Sequence, residues 1–512
     1  MKTLYKWNQL PWRRIEAKVF NIQVKIYKLS KEGAKKEEIY KLQILLSRLP
    51  AAKLLSVRKV TQDNRGRRTA GVDGVADISP EERLNLATHL HLNNRSDPIR
   101  RIWIDKPNAP NEKRPLGIPT IRDRAKQALA LMVLEPQWEA LFEPNSYGFR
   151  PGRSCHDAIG AVYLGINRKS KWVLDADISK CFDRINHSQL LKRLNTYPLM
   201  RRQIKAWLQA GILEGKTDLF PTQGTPQGGV ISPLLANIAL HGIENHLKDW
   251  VTQFPYRNKS GQIINMVDRK SQLTIVRYAD DFVMLHPDRQ VIEQGRKEIE
   301  KLLSVMGLEL KPSKTRITHT HRGVENPGFD FLSFKVRQYT IGKYQQKKKG
   351  LEFKTLIKPS PESVKRHLLQ LKRLIYKTKD TGSLIRRLGP AIRGWSNYQR
   401  HVVSSRIFSH TARQLMTKLM AWARRKHRLR TKTWIYSKYL RRLEGRLRLG
   451  YTGTTSTTMD ERWVFLKDHT DVTVERHVKV RGDRSPYDGD WIYWATRGRK
   501  TVGGKRLVVH QR

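Results

Sequence analysis

A chain of 512 residues is long enough for three or four domains. Its 99 Lys plus Arg against 46 Asp plus Glu give a formal net charge of +53, which repels itself unless a polyanion is present, so nucleic acid is the expected partner. Only Cys155 and Cys181 are present, which excludes a disulfide scaffold and a Cys-rich zinc module; no apolar run of spanning length and no secretory segment after Met1 is found, so no membrane partner and a cytoplasmic or nucleoid location are expected.

In chain order, Ile15, Val19, Ile22, Ile26 and Leu29, then Ile39, Leu42, Leu45, Leu46 and Leu49, recur at helical spacing and predict two amphipathic helices with lysines on their outer faces. Asn64 to Gly74 is basic and Gly-rich, a loop by pattern. Pro98 to Pro119 reads as a β-hairpin, its short β-rich runs flanked by Arg100, Arg101, Lys106, Lys113 and Arg114. A helix over 121–141 offers Leu129, Met132, Val133 and Trp138 to a core, and Tyr147 to Ser154 then punctuates the chain with two glycines and a proline. The proline and paired glycines of Thr225 to Gly229 allow close backbone approach to a substrate. Ser232 to Leu240 predicts a helix, Asn245 to Ser271 a polar, basic insertion, and Ile292, Ile299, Leu302, Leu303 and Met306 a helix returning through a strand at Leu308 to Leu310. Beyond Lys347 the composition shifts, with 26 Lys or Arg against 4 Asp or Glu from 351 to 450. Ser360 as N-cap and Pro361 at the first position open a helix with Leu368, Leu371 and Ile375 inward and Lys365, Arg366, Lys372 and Arg373 outward. Val472, Val474, Val478 and Val480 alternate in the last segment.

The stretch that organises this reading is Arg277 to Leu285, two apolar runs meeting at Asp280 and Asp281. Like charges about 4 Å apart repel by roughly 4 kcal/mol at an effective dielectric of about 20, so a cationic group is expected beside them. A solvated Asp-Asp turn is the plain alternative. A second apolar run, Lys171 to Leu174, also enters acid, at Asp175 and Asp177. If the two lie side by side in one sheet, Asp177 and Asp280 project together at its edge with Asp281 alongside, a constellation suited to two magnesium ions that lower the pKa of an attacking hydroxyl and hold a leaving pyrophosphate.

Tyr278-Ala279-Asp280-Asp281 resembles the signature of reverse transcriptases, and Gly224 to Ile238 (GTPQGGVISPLLANI) resembles the corresponding block of group II intron-encoded reverse transcriptases of bacterial type. Similar blocks run from Asn64 to Phe334 in the family's order. The resemblance implies catalytic Asp177, Asp280 and Asp281, metal ligation by these three and Ile178, and Mg2+ as the cofactor. It places Lys106, Arg114 and Gln227 on the incoming nucleotide, and Phe182 beneath its sugar as a steric gate against ribonucleotides, core packing being the other reading of that ring. It assigns template and primer contacts to Arg150, Arg153 and Gly328. Gly389 to Trp395 and Tyr398 resemble the family's maturase region, which adds Arg393 and Trp395 to Lys365, Arg366, Lys372 and Arg373 as RNA-binding residues. Cys181 is expected to be a packing residue.

The expected fold is α+β, a right-hand polymerase. The N-terminal extension, 1–92, supplies RNA-binding helices and a template-primer loop; fingers and palm occupy 93–345, an α-helical thumb or maturase domain 346–432, and a small basic DNA-binding domain 433–512 with no His-Asn-His nuclease. The expected activity is RNA-directed DNA polymerisation from dNTPs, with splicing of the intron RNA in a ribonucleoprotein and insertion at target DNA. A maturase acting mainly by binding RNA, and a diversity-generating or retron reverse transcriptase, are the alternatives.

Overall fold

The computed structural model describes residues 6–106, 109–214, 217–219, 223–225, 228–255, 261–342, 352–455 and 458–501. The chain is α+β and divides into two units, one of residues 1–162, 172–317 and 478–512 and the other of 163–171 and 318–477.

The first unit is built around the helix Ile121–Leu141. Its Ala125, Ala128, Leu129, Ala130, Val133 and Leu134 are all fully buried, and Arg124, Lys126 and Gln127 are also covered, so it is a core helix rather than an amphipathic surface one. Thr120 caps it, its hydroxyl accepting from the Asp123 N–H at 3.2 Å. The two N-terminal helices expected from periodicity span Trp12–Lys31 and Lys36–Arg48, joined by a third, Pro50–Arg58, and pack on the core helix through Val19, Ile26, Leu46, Ala52 and Val57. The basic segment after Asn64 is tethered rather than free: Arg124, buried at 5 % exposure, donates to the Gly66 and Thr69 carbonyls. A Cβ on Gly71 would lie 2.7 Å from the Thr120 backbone, which accounts for that glycine.

The predicted hairpin is Ile99–Lys106 against Ala109–Ile118, extended by Ile212–Glu214 in parallel and Thr217–Leu219. A second sheet has Thr274–Tyr278 at one edge, then Asp281–His286, then Trp172–Asp177, then a strand beginning at Arg316. Neighbours in the first three are antiparallel. Helices Ser232–Ala239 and Arg289–Val305 complete this core through Leu235, Ile238, Ile292 and Ile299. The expected strand Leu308 to Leu310 is reduced to a single bridge, Leu310 to Ile178, because Gly307 at φ +74 on one side and Pro312 on the other leave no room for a ladder. The tail from Val478 to Thr501 returns to this unit and ends in the helix Trp491–Thr501.

The second unit opens with the hairpin Phe329–Phe331 and Phe334–Thr340, whose turn residues Leu332 and Ser333 both have positive φ, as a type I′ turn requires. Phe353–Pro359 adds a third strand. Three helices, Pro361–Tyr376, Thr381–Gln399 and Ser405–Lys426, then enclose Leu371, Ile375, Leu384, Leu388, Leu415, Leu419 and Trp422. The Ser360 cap forms as read, but His367 takes the inward position beside Leu371 and Ile375 while Leu368 is half-buried. The alternating valines make no strand: Val474 and Val478 are exposed, and the strands of this region are Leu440–Leu443, Arg446–Thr455 and Thr458–Phe465, where a basic sequence hid them.

One glycine positions the rest of the site. A Cβ on Gly148 would fall 2.4 Å from the Ala279 amide nitrogen, so Gly148→Ala must push apart two backbones that cannot yield. A loss of roughly 1–3 kcal/mol is expected in urea unfolding, and an unchanged midpoint would refute the close approach.

Candidate functional site

The site begins at a two-residue turn. Tyr278 pairs with Asp281, leaving Ala279 and Asp280 as the loop, and Ala279 has φ +58 while Asp280 does not, the pattern of a type II′ turn. An alanine there costs roughly 1–2 kcal/mol, so the turn persists only because its surroundings hold it. Asp177, the last residue of its strand, stands directly opposite Asp281 in the antiparallel ladder, where facing Cβ atoms lie about 4.5–5.5 Å apart. Ile178 continues the contact, its N–H donating to the Asp280 carbonyl at 3.3 Å. The expected pairing is thereby refined: Asp177 faces Asp281 across the strands, and Asp280 sits on the turn beside them.

The three carboxylates crowd one another. Burial first, and then the neighbouring Asp280 and Asp177 charges, push Asp281 up to about 7; burial and Asp177 also raise Asp280, against the opposing pull of Lys314 and Arg114. Lys314 Nζ donates to Asp177 Oδ2 at 2.7 Å and is the nearest counter-charge on the open side. On the buried side the Arg277 guanidinium reaches Asn237 Oδ1 at 3.0 Å, Ser146 Oγ at 2.8 Å and the Ala279 carbonyl at 3.3 Å, bracing the turn from beneath. Burial holds Arg277 below its usual range, opposed by the Glu143 charge. Segment 145–148 lies along the same strand, with Arg277 N–H donating to Asn145 and Tyr147 N–H to Arg277, both at 2.9 Å. Neither Arg277 nor Lys314 was assigned this role from sequence. An arginine inside an apolar strand is the available signal for the first; Lys314, 34 residues past Asp280 in the chain, lies with Lys311 and Ser313 in a stretch that resembles the family's next block, which by itself assigns it no partner.

The glycine-rich block joins this cluster to its neighbours. Gly224 (φ +88) would place a Cβ 2.5 Å from the Asp183 carbonyl oxygen, and Gly228 (φ +117) one 2.4 Å from the Gly117 carbonyl oxygen. Thr225 N–H donates to the Phe182 carbonyl. The block therefore locks the short helix Cys181–Arg184 to the end of the Arg114 strand. Phe182 is half-buried, its ring edge-on to Phe149 at 6.4 Å. Arg114 is exposed with its charge acting on Asp280. Gln227 and the side chain of Lys106 lie outside the described residues. Cys181 is buried and its thiol is pushed up to about 12, by burial and then by Asp280, as a packing residue should be.

Other candidate residues are engaged elsewhere. Arg150 is buried against Glu139 through two nitrogens, at 2.8 and 3.0 Å, and donates to the Glu143 and Ser146 carbonyls, which leaves its guanidinium occupied within the protein. Arg153 donates to the Pro144, Gly482 and Arg484 carbonyls. At Gly328 the room expected for a nucleic-acid backbone is filled by the protein's own, since a Cβ would meet the Val336 carbonyl oxygen at 2.5 Å. In the second unit Lys365, Arg366, Lys372, Arg373 and Arg393 are all exposed. Trp395 is half-buried, its ring stacked on His367 at 4.5 Å and its indole N–H on Ser363, so its flat face is covered by protein.

Chemically, Asp177, Asp280 and Asp281 form a set of hard oxygen donors with more negative charge than the surrounding cations offset, and this fits a divalent cation. Among the described residues no helix is long and apolar enough to cross a membrane.

Comparison with known proteins agrees with this arrangement. Residues 104–336 match the family described as reverse transcriptase (RNA-dependent DNA polymerase), residues 7–90 the N-terminal domain of reverse transcriptase, and residues 364–440 the group II intron, maturase-specific domain. Protein YkfC of Escherichia coli K12 is 30% identical over 360 residues, covering 65% of this chain and 91% of that protein. Group II intron-encoded protein LtrA of Lactococcus lactis subsp. cremoris is 31% identical over 317 residues, 52% of this chain and 53% of LtrA. Maturase-like protein 1 of Euglena gracilis is 26% identical over 402 residues, 76% of each chain.

The raised Asp281 carboxyl sets a pH dependence. Its folded value of about 7 exceeds its ordinary 3.8, so its contribution is fully present below about pH 4 and is lost as pH rises through 7. In chelator, wild-type stability should decline from pH 5 to 8 relative to Asp281→Asn, by an amount on the order of a few kcal/mol. Thermal melts that run parallel across that window would remove the crowding argument.

Proposed function

Because the chain belongs to the group II intron-encoded reverse transcriptase/maturase family, we propose that it copies RNA into DNA with two Mg2+ ions held by Asp177, Asp280, Asp281 and the Ile178 carbonyl. The observation that carries this is the ladder pairing of Asp177 with Asp281 at the Asp280 turn. Bound magnesium supplies the lowered pKa of the primer 3′-hydroxyl and the charge that offsets a leaving pyrophosphate. The protein's own part is positioning. The turn, braced by Arg277, presents the carboxylates without reorganisation, and Arg114, with Lys106, offsets triphosphate charge as it accumulates. Phe182, anchored through its carbonyl by Thr225, stands beneath the nucleotide's sugar, where a 2′-hydroxyl would collide with the ring; Gln227 reaches the nucleotide through its amide.

In this reading the first unit supplies fingers and palm, with the N-terminal helices as an RNA-binding extension. The helices from Pro361 to Lys426 form the thumb and maturase region. The face bearing Lys365, Arg366, Lys372, Arg373 and Arg393 binds phosphates of the intron RNA, and Trp395 serves by stiffening the helix behind it. Splicing is promoted by stabilising folded RNA, and the ribonucleoprotein then inserts at target DNA by target-primed reverse transcription. The intact carboxylate set favours this over a maturase that only binds RNA.

Primer extension by wild type and Asp280→Ala, with intron splicing assayed in parallel, tests it. Polymerisation should fall by about 10³-fold or more while splicing stays within a few-fold; extension surviving in Asp280→Ala refutes the assignment. Phe182→Ala should reduce discrimination against ribonucleotides by about tenfold or more, and unchanged discrimination would leave that ring a core residue only.

A further inference from the structure

The tail Val478–Arg497, expected from sequence to contact DNA, is built into the first unit instead. Asp157 lies at the start of the helix Cys155–Ile166 and is fully buried. Arg497 donates to both of its oxygens, at 2.7 and 2.8 Å, and to the Gly152 carbonyl at 2.7 Å. The Val480 N–H donates to Asp157 as well, at 2.7 Å. Trp494 fills the space over Gly152, where a Cβ would meet its ring at 2.6 Å. The Gly482 and Arg484 carbonyls take up Arg153, and Tyr487 Oη donates to half-buried Glu135 at 2.6 Å. The segment so gripped, 147–157, is the one whose other end lies against the catalytic turn through Tyr147 to Arg277 and Gly148 to Ala279.

We propose that Val478–Arg497 is a clasp for the carboxylate turn, and that Arg497 and Asp157 are positioning residues for polymerisation. One side of 147–157 is the tail, and the other is the Ala279 turn. A strained turn with an alanine at positive φ keeps its geometry only while the wall against it stays put, and the tail holds the far end of that wall while Arg150 and Asn237 hold the near one. The consequence for polymerisation rests on the proposed polymerase reading; the clasp itself rests on the contacts above.

The experiment uses the full chain with Arg497→Ala and Arg497→Lys. Hydrogen–deuterium exchange in peptides covering 276–284 reads the clasp without turnover, and faster exchange in Arg497→Ala than in wild type is expected. In primer extension, kcat should fall about 10²-fold in Arg497→Ala, less in Arg497→Lys, and recover with added methylguanidinium, while primer–template affinity stays within about twofold. Unchanged exchange over 276–284 overturns the proposal whatever the polymerase assay returns. A kcat loss that tracks lost affinity and answers to neither lysine nor guanidinium overturns the positioning role in favour of a merely structural one. Wild type that binds primer–template yet extends nothing would refute the polymerase reading alone, and the exchange data would still decide the clasp.

Discussion

Three carboxylates at one sheet edge repel one another, and the rest of this structure is arranged around keeping them there. Burial first, and then the charge of each carboxylate on the next, raises the cost of ionisation, which is why Asp281 sits about 7 while its ordinary value is 3.8. Among the described residues Lys314, hydrogen-bonded to Asp177, and Arg114, whose charge acts on Asp280, offset the group, while buried Arg277 braces the Ala279 carbonyl beneath the turn. Arg277 is itself costly to bury, and its three hydrogen-bonded partners and the Glu143 charge offset that cost. Glu143 is in turn drawn down to about 2, against its own burial, by His241 and Arg277. The acid edge and the basic interior are thus one network, and an electropositive ligand completes rather than creates it.

Backbone proximity, more than side-chain chemistry, assembles this network. Gly148 meets the Ala279 turn, Gly224 the Asp183 carbonyl, Gly228 the Gly117 carbonyl and Gly71 the Thr120 cap. Each contact brings together chain segments far apart in sequence at a distance no Cβ allows. A substitution at Gly148 acts on the turn without touching a carboxylate.

Legibility from sequence followed the range of the interaction. Helical periodicity revealed Trp12–Lys31 and Lys36–Arg48, and the Ser360-Pro361 cap revealed Pro361–Tyr376, because these signals lie within one or two turns of chain. The strands around Arg446–Thr455 are not legible in sequence because arginines, glycines and threonines separate their apolar residues, and their partners are neighbouring strands rather than a core-forming run. Arg150 and Arg153 read as phosphate contacts because exposure is invisible in a motif; burial against Glu139 and against tail carbonyls turned them inward. The close Val336 carbonyl at Gly328 and the His367 ring on Trp395 are equally invisible in sequence, since what occupies the space beside a glycine or over an indole comes from elsewhere in the chain.

By itself the sequence determined that this is a strongly basic α+β chain with an Asp pair at a hairpin tip and a second acid-ended strand, since charge, periodicity and turn chemistry are local properties. Only the tertiary structure decided that Asp177 faces Asp281 rather than Asp280, that Lys314 bonds Asp177 while Arg277 braces the turn, and that the tail after Val478 grips the wall of the turn. Strand register and the burial of a charge depend on which distant segment packs alongside, and no window of sequence contains that neighbour.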